Sequence, residues 1–179
     1  MSLRNTSTEF GTLARALHWS MAALIIVSLA FIEFRDVFPR GNYFRGALRD
    51  WHMQIGLVVF ALVWVRLYWR FANPLPAIVP PIPTWQRALS HTVEWTFYFM
   101  MIMLPVLGVA SVQAEDRTVA LLGMQLPTFV GVDKAWSHKV EDIHGWLGTI
   151  MMWLIGLHVA AALFHQFVRR DNTLQRMRG

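Results

Sequence analysis

The chain has 179 residues, 55% of them hydrophobic and 15% charged, with 9 Trp, 12 Phe, 10 Met and a formal net charge of +5. That is too apolar for a typical soluble domain of this length, which needs more polar cover, and a single domain over residues 1–179 is the natural reading. With no cysteine, thiolate-ligated metals, iron–sulfur clusters, disulfides and covalently attached haem are excluded; the positive balance suits anionic lipid and requires no nucleic acid partner.

Met1 to Gly11 is polar and lacks an apolar core followed by a small-residue cleavage site, so it does not read as a cleaved signal peptide. A spanning helix takes about 20 mostly apolar residues, and four stretches qualify. The first runs from Leu13 to Phe34. A polar loop to Asp50 follows, containing Phe38-Pro39-Arg40-Gly41 and the arginines Arg35, Arg40, Arg45 and Arg49. The second span runs from Trp51 to Phe71, with Arg66 and Arg70 near its far end. Asn73 to Pro83 holds five prolines and no charge, which predicts an extended, stiff connector. The third span runs from Ala88 to Val112, with a kink predicted at Pro105. Gln113 to Asp142 is the longest loop. The fourth span, Ile143 to Val168, has no Asp, Glu, Lys or Arg. Continuous apolar runs exclude a β-barrel, and the fold class is an all-α, four-helix transmembrane bundle.

Four spans bring both termini to one side. Nine Lys and Arg fall on that terminal side and seven on the other, the loop side, a bias toward cytoplasmic termini.

Seven histidines are the candidate nitrogen ligands, and ionisable residues inside spans are uncommon and usually functional. His144 and His158 lie on the fourth span within about 40° of one face and roughly 21 Å apart along its axis. His18 opens the first span and His52 the second. Those spans are antiparallel, so the two stand at opposite membrane surfaces. Depth then pairs His18 with His158 on the terminal side and His52 with His144 on the loop side. Two histidines facing each other between helices form an axial pair for haem iron. Each is followed four residues later by a small residue, Ala22, Gly56, Gly148 or Ala162, which leaves room for a flat macrocycle, although small residues also let helices pack closely. A zinc or copper site would want three or four ligands at one depth, and these four split two and two.

His91 and His165 are predicted near the terminal-side pair, either anchoring the interface or binding a quinone headgroup and relaying protons, with Arg70 and Trp85 nearby. The loop arginines, Arg35 and Arg40 foremost, are either ordinary solvated charges or the approach for a small anion or haem carboxylates. Trp19, Trp51, Trp69 and Trp85 read as an interfacial belt, and the methionines as packing.

Leu17-His18-Trp19, Glu33-Phe34-Arg35, Phe38-Pro39-Arg40, His52 with Ile55-Gly56, Val65-Arg66-Leu67, Leu104-Pro105-Val106-Leu107-Gly108, Ile143-His144, Gly156-Leu157-His158-Val159-Ala160-Ala161 and the tail Asp171-Asn172-Thr173-Leu174 with Arg176-Met177 together resemble the bacterial cytochrome b561 family. The resemblance covers essentially the whole chain. It implies two b haems ligated by His18, His52, His144 and His158, a multi-pass inner-membrane location and a ubiquinone partner. It further implies a superoxide:ubiquinone oxidoreductase that takes electrons from superoxide, with a cytochrome subunit serving a protein electron donor, such as a dehydrogenase or hydrogenase, as the competing role. One departure is Glu94, at a position expected to be His in some relatives.

Overall fold

The computed structural model describes residues 2–178; Met1 and Gly179, the two ends of the single domain expected over 1–179, lie outside the described residues. Four helices are long and apolar enough to cross a membrane. They are α1 (Thr12–Phe34), α2 (Tyr43–Phe71), α3 (Thr84–Ala114) and α4 (Lys134–Phe164). A short β1–β2 hairpin (Ala120–Leu121 and Met124–Gln125) precedes α4, and a last turn, α5 (Gln175–Arg178), ends the tail.

The apolar runs locate these helices, but polar capping residues decide where they begin. Asn42 caps α2 by accepting from the Phe44 N–H at 2.8 Å, so α2 starts eight residues before Trp51. Arg45, Arg49 and Asp50 therefore stand on a helix rather than in a loop. Asp133 caps α4 in the same way, accepting from the Trp136 N–H at 2.9 Å. At 29 residues α2 is about 44 Å long against a hydrocarbon layer of ~30 Å, so these polar first turns project into the headgroup region. Pro105 lies inside α3, which continues through it.

Main-chain packing joins α1 to α2, α3 to α4, and α2 to α3. The centre of the bundle is a cluster of Met21, Val59, Val63, Tyr98, Met100, Met101 and Met151, methionine filling irregular gaps. The outer faces are apolar and bare. Trp153 is 74% and Leu157 67% exposed on α4, as expected of side chains that meet lipid rather than water.

Both ends of the bundle are tied. On the loop side the hairpin turns through Leu122 (φ 50°) and Gly123 (φ 85°), the paired positive φ of a two-residue turn. Gln54 of α2 holds it, donating to the Ala120 carbonyl at 2.6 Å and accepting from Leu122 N–H at 3.0 Å. On the terminal side the tail folds back. Trp19 Nε1 donates to the Met177 carbonyl at 2.9 Å, and the Val79 N–H donates to Asn172 Oδ1 at 2.8 Å. The proline-rich connector is thus stitched to the C-terminal tail.

Candidate cofactor site

The two histidine pairs form across the bundle. His18 of α1 faces His158 of α4 with ring centroids 6.4 Å apart and planes at 64°. His52 of α2 faces His144 of α4 at 6.0 Å and 80°. The main-chain packing of α4 is with α3, and it meets α1 and α2 through side chains, these rings and Met151 of the central cluster among them.

Each ring on the loop side is oriented by a backbone carbonyl. His52 Nδ1 lies 2.9 Å from the carbonyl of Ser28 in α1, and the Ser28 hydroxyl is within 3.0 Å. His144 Nδ1 lies 2.9 Å from the Leu104 carbonyl of α3. A carbonyl only accepts, so in both rings Nδ1 carries the proton and Nε2 keeps its lone pair. Gly108 makes the second contact possible: a Cβ there would lie 3.3 Å from His144 Cε1, so the imidazole fills the space a side chain would take. Gly108 was a matching residue in sequence, but its physical role comes only from this approach.

The terminal-side pair differs. Arg66 Nη2 stands 3.0 Å from His18 Nδ1, and its Nε donates to the Tyr98 hydroxyl at 3.3 Å. Arginine only donates, so here His18 Nδ1 accepts. Arg66 belongs to the Val65-Arg66-Leu67 segment of the resemblance and stands near the end of the second span; its place against His18 follows from how α1 and α2 pack. His158 is exposed, with Phe97 at its edge, ring centroids 5.4 Å apart.

The other predicted residues fall into separate groups. Arg70 pairs with Glu94 and lies 5.5 Å over the Trp95 ring. His91 Nδ1 is 3.8 Å from the other Glu94 oxygen. His165 pairs instead with Asp171 at 2.5 Å, and Trp85 is exposed. His91 and His165 thus sit at the same end with different carboxylate partners. Trp69 departs from a simple belt role, since its Nε1 is buried. At the loop end Arg45 pairs with Asp36 at 2.7 Å and caps the Arg35 and Phe38 carbonyls, while Arg35 also contacts Asp36, at 3.4 Å. Arg40 and Arg49 are exposed and take part in none of the ion pairs among the described residues. Glu115, His138 and Glu141 bring possible ligand atoms within 4.8 Å of one another, but this solvent-facing group involves none of the four paired histidines.

Two facing histidine pairs set into four apolar helices, one near each end, agree with a family model. The model for prokaryotic cytochrome b561 matches residues 9–179. The chain belongs to that family. Cytochrome b561 homolog 1 of Escherichia coli K12 is 32% identical over 161 residues, covering 90% of this chain and 92% of that protein. A probable superoxide oxidase of Yersinia pestis is 28% identical, covering 94% and 95%. Cytochrome b562 of Cereibacter sphaeroides is 26% identical, covering 90% and 89%.

A prokaryotic b561 protein is a helical-bundle membrane cytochrome that binds haem b, and the residues present fit that group. An iron ligated by two imidazoles stands about 2 Å from each nitrogen, which puts the ring centroids roughly 6 Å apart, the separation observed in both pairs. Gly56 and Gly148, one turn beyond His52 and His144, have no protein atom within 4 Å of where a Cβ would stand. The space beside those rings is left clear. His158 is an exposed polar ring in the uncharged run of α4 that follows Asp142, a group that needs cover within a membrane.

Proposed function

We propose that this single-domain b561 cytochrome, spanning residues 1–179, oxidises superoxide at its loop end and reduces ubiquinone at its terminal end, with two b haems held by His18 with His158 and by His52 with His144. The overall reaction takes two superoxide anions, one quinone and two protons to two oxygen molecules and one quinol. Haem, when bound, supplies one-electron iron chemistry. The observation that carries the reading is the matched separation of the two histidine pairs, 6.4 and 6.0 Å, at opposite ends of one bundle. The fourteen-residue separation of His144 and His158 along α4 sets the two ends about 21 Å apart, which keeps the two half-reactions on opposite faces.

The chain's own residues account for the choice of donor and acceptor. At the loop end, Arg40 and Arg49 remain available to attract a small anion, while Arg35 and Arg45 keep the turn in shape around Asp36. Fixed cations at such a mouth raise the encounter rate of an anion, and salt screens them. The Yersinia pestis relative, a probable superoxide oxidase, supports the same donor. At the terminal end, Arg70, His91 and His165 offer donors for a quinone headgroup. The excess of Lys and Arg on that side supports cytoplasmic termini in a bacterial inner membrane.

Stopped-flow mixing of the oxidised, purified protein with superoxide tests this directly. Reduced-haem absorbance is expected to rise within the mixing experiment and to decay when a ubiquinone analogue is added. No rise with superoxide would overturn the enzyme and favour a cytochrome subunit fed by a partner protein.

A further inference from the structure

Asp171 follows a strained turn. Arg170 adopts φ 56°, ψ 37°, a left-handed conformation that is unfavourable for a non-glycine residue. The turn folds the chain back so that the Asp171 side chain, 0% exposed, lies against His165, itself 17% exposed. One carboxylate oxygen takes the His165 Nδ1 contact at 2.5 Å, and the other accepts from the Thr173 N–H at 2.9 Å. Burial pushes this carboxyl up, but hydrogen bonds from Thr173 and His165 outweigh it and hold it below the usual carboxylate range. A carboxylate accepts only, so it fixes the proton on Nδ1 and leaves Nε2 to gain or lose one.

A second observation comes from elsewhere in the molecule. The buried side-chain polar atoms without a protein partner, among the described residues, are Trp69 Nε1, Gln86 Oε1, Gln166 Oε1, Thr173 Oγ1 and Arg176 Nε. All five belong to the terminal end: the last turn of α2, the first turn of α3, the segment after α4 and the tail. Buried polar atoms ordinarily have partners, and two of these, Trp69 Nε1 and Arg176 Nε, are donors suited to the carbonyl oxygens of a quinone.

We propose that His165 donates the protons of quinone reduction and that Asp171 is its positioning residue. This rests on the assignment of quinone to the terminal end. The quinone takes two electrons that originate from two superoxide anions, and two protons. Each proton leaves Nε2 of a His165 imidazolium for a quinone oxygen. The ring returns to its neutral Nδ1–H form against the Asp171 carboxylate and is recharged from water at the membrane surface. The charged groups facing the dyad are Arg169, 3.9 Å from Asp171, and Arg176, whose guanidinium senses both Asp171 and Glu94; Arg70 and His91 engage Glu94 instead.

The test uses the haem-loaded full chain. With a soluble ubiquinone analogue, His165→Ala is expected to slow quinone-driven haem reoxidation about 100-fold, the low end for a lost general acid, with free imidazole restoring part of the rate. Asp171→Asn is expected to slow it about tenfold with KM unchanged, and Asp171→Glu to recover most of the loss. Nitrogen NMR of ring-labelled histidine is expected to find His165 as the Nδ1–H tautomer in the parent and mixed in Asp171→Asn, a change that loosening of the tail alone does not predict. Photolabelling with an azidoquinone separates the two layers. Labelling at the terminal end with unaffected variant rates overturns the proton role, and labelling confined to the loop end overturns the quinone assignment beneath it.

Discussion

His18, His52, His144 and His158 act as pairs, so the loss of any one has a local consequence. His18→Ala or His158→Ala is expected to remove the terminal-side haem, and His52→Ala or His144→Ala the loop-side haem. A pyridine haemochrome assay would read a fall from about two haems per chain to one in each case, and two haems retained in any variant would break the pairing. Arg66 adds a second residue-scale expectation. It donates to His18 Nδ1, whereas an axial imidazole bound through Nε2 needs that nitrogen protonated. Were His18 to hold a haem through Nε2, the guanidinium would give up this contact and leave its charge nearby. A cation near a haem favours the reduced, less positive state. Arg66→Gln is expected to lower the midpoint potential of one haem by roughly 60 mV, about a tenfold change for a one-electron couple. Spectroelectrochemical titration measures it, and an unchanged potential would remove Arg66 from the haem's surroundings.

At the scale of elements, α3 and the loop-side turn make separable contributions. Gly108 of α3 is the surface on which His144 rests, and a larger residue meets the ring at once. Gly108→Val is expected to reduce loop-side haem content while leaving the terminal-side haem, as read by the same haemochrome assay. Gly131→Ala, where a Cβ meets nothing within 4 Å, is the matched control and is expected to change neither. In the loop-side turn, Arg35 and Arg45 share Asp36, and shared charge is partly cancelled. The rate of haem reduction by superoxide is expected to fall as salt rises, with Arg40→Gln slowing it several-fold and Arg35→Gln less. Equal rates in low and high salt would exclude steering by this turn.

Across the whole molecule, the tail docks on the connector and the head of α1. Met177 takes the Trp19 indole, Asn172 takes Val79, and the Phe10 N–H donates to the Arg176 carbonyl at 3.3 Å. Asp171 anchors this clasp, and because its folded carboxyl is held below the ordinary value of 3.8, its contribution is fully present above that value. The contribution is lost only as pH falls through the lower folded value. Hydrogen exchange of tail amides is expected to be flat with pH down to about 4 after correction for intrinsic rates, and to rise below it. In Asp171→Asn that low-pH rise is expected to disappear, because the titrating carboxyl is gone; a rise that persists in the variant would mean that another group controls the clasp.

Length, apolar runs and histidine spacing determined four spans and the depth of each histidine before any tertiary information, because a membrane makes hydropathy along the chain a map of height. Periodicity on α4 placed His144 and His158 on one stripe, and antiparallel spans left each a single partner at its own level. Hydropathy was blind to the helix ends, where Asn42 and Asp133 extend α2 and α4 beyond their apolar cores through local caps that carry no apolar signal. It was equally blind to what lies around each ring. The carbonyls of Ser28 and Leu104, the bare backbone at Gly108, the guanidinium of Arg66 and the buried carboxylate of Asp171 meet their histidines through helix packing and chain reversal. Such contacts depend on rotation of one helix about its axis relative to another, a quantity that no single segment encodes and that only the packed bundle decided.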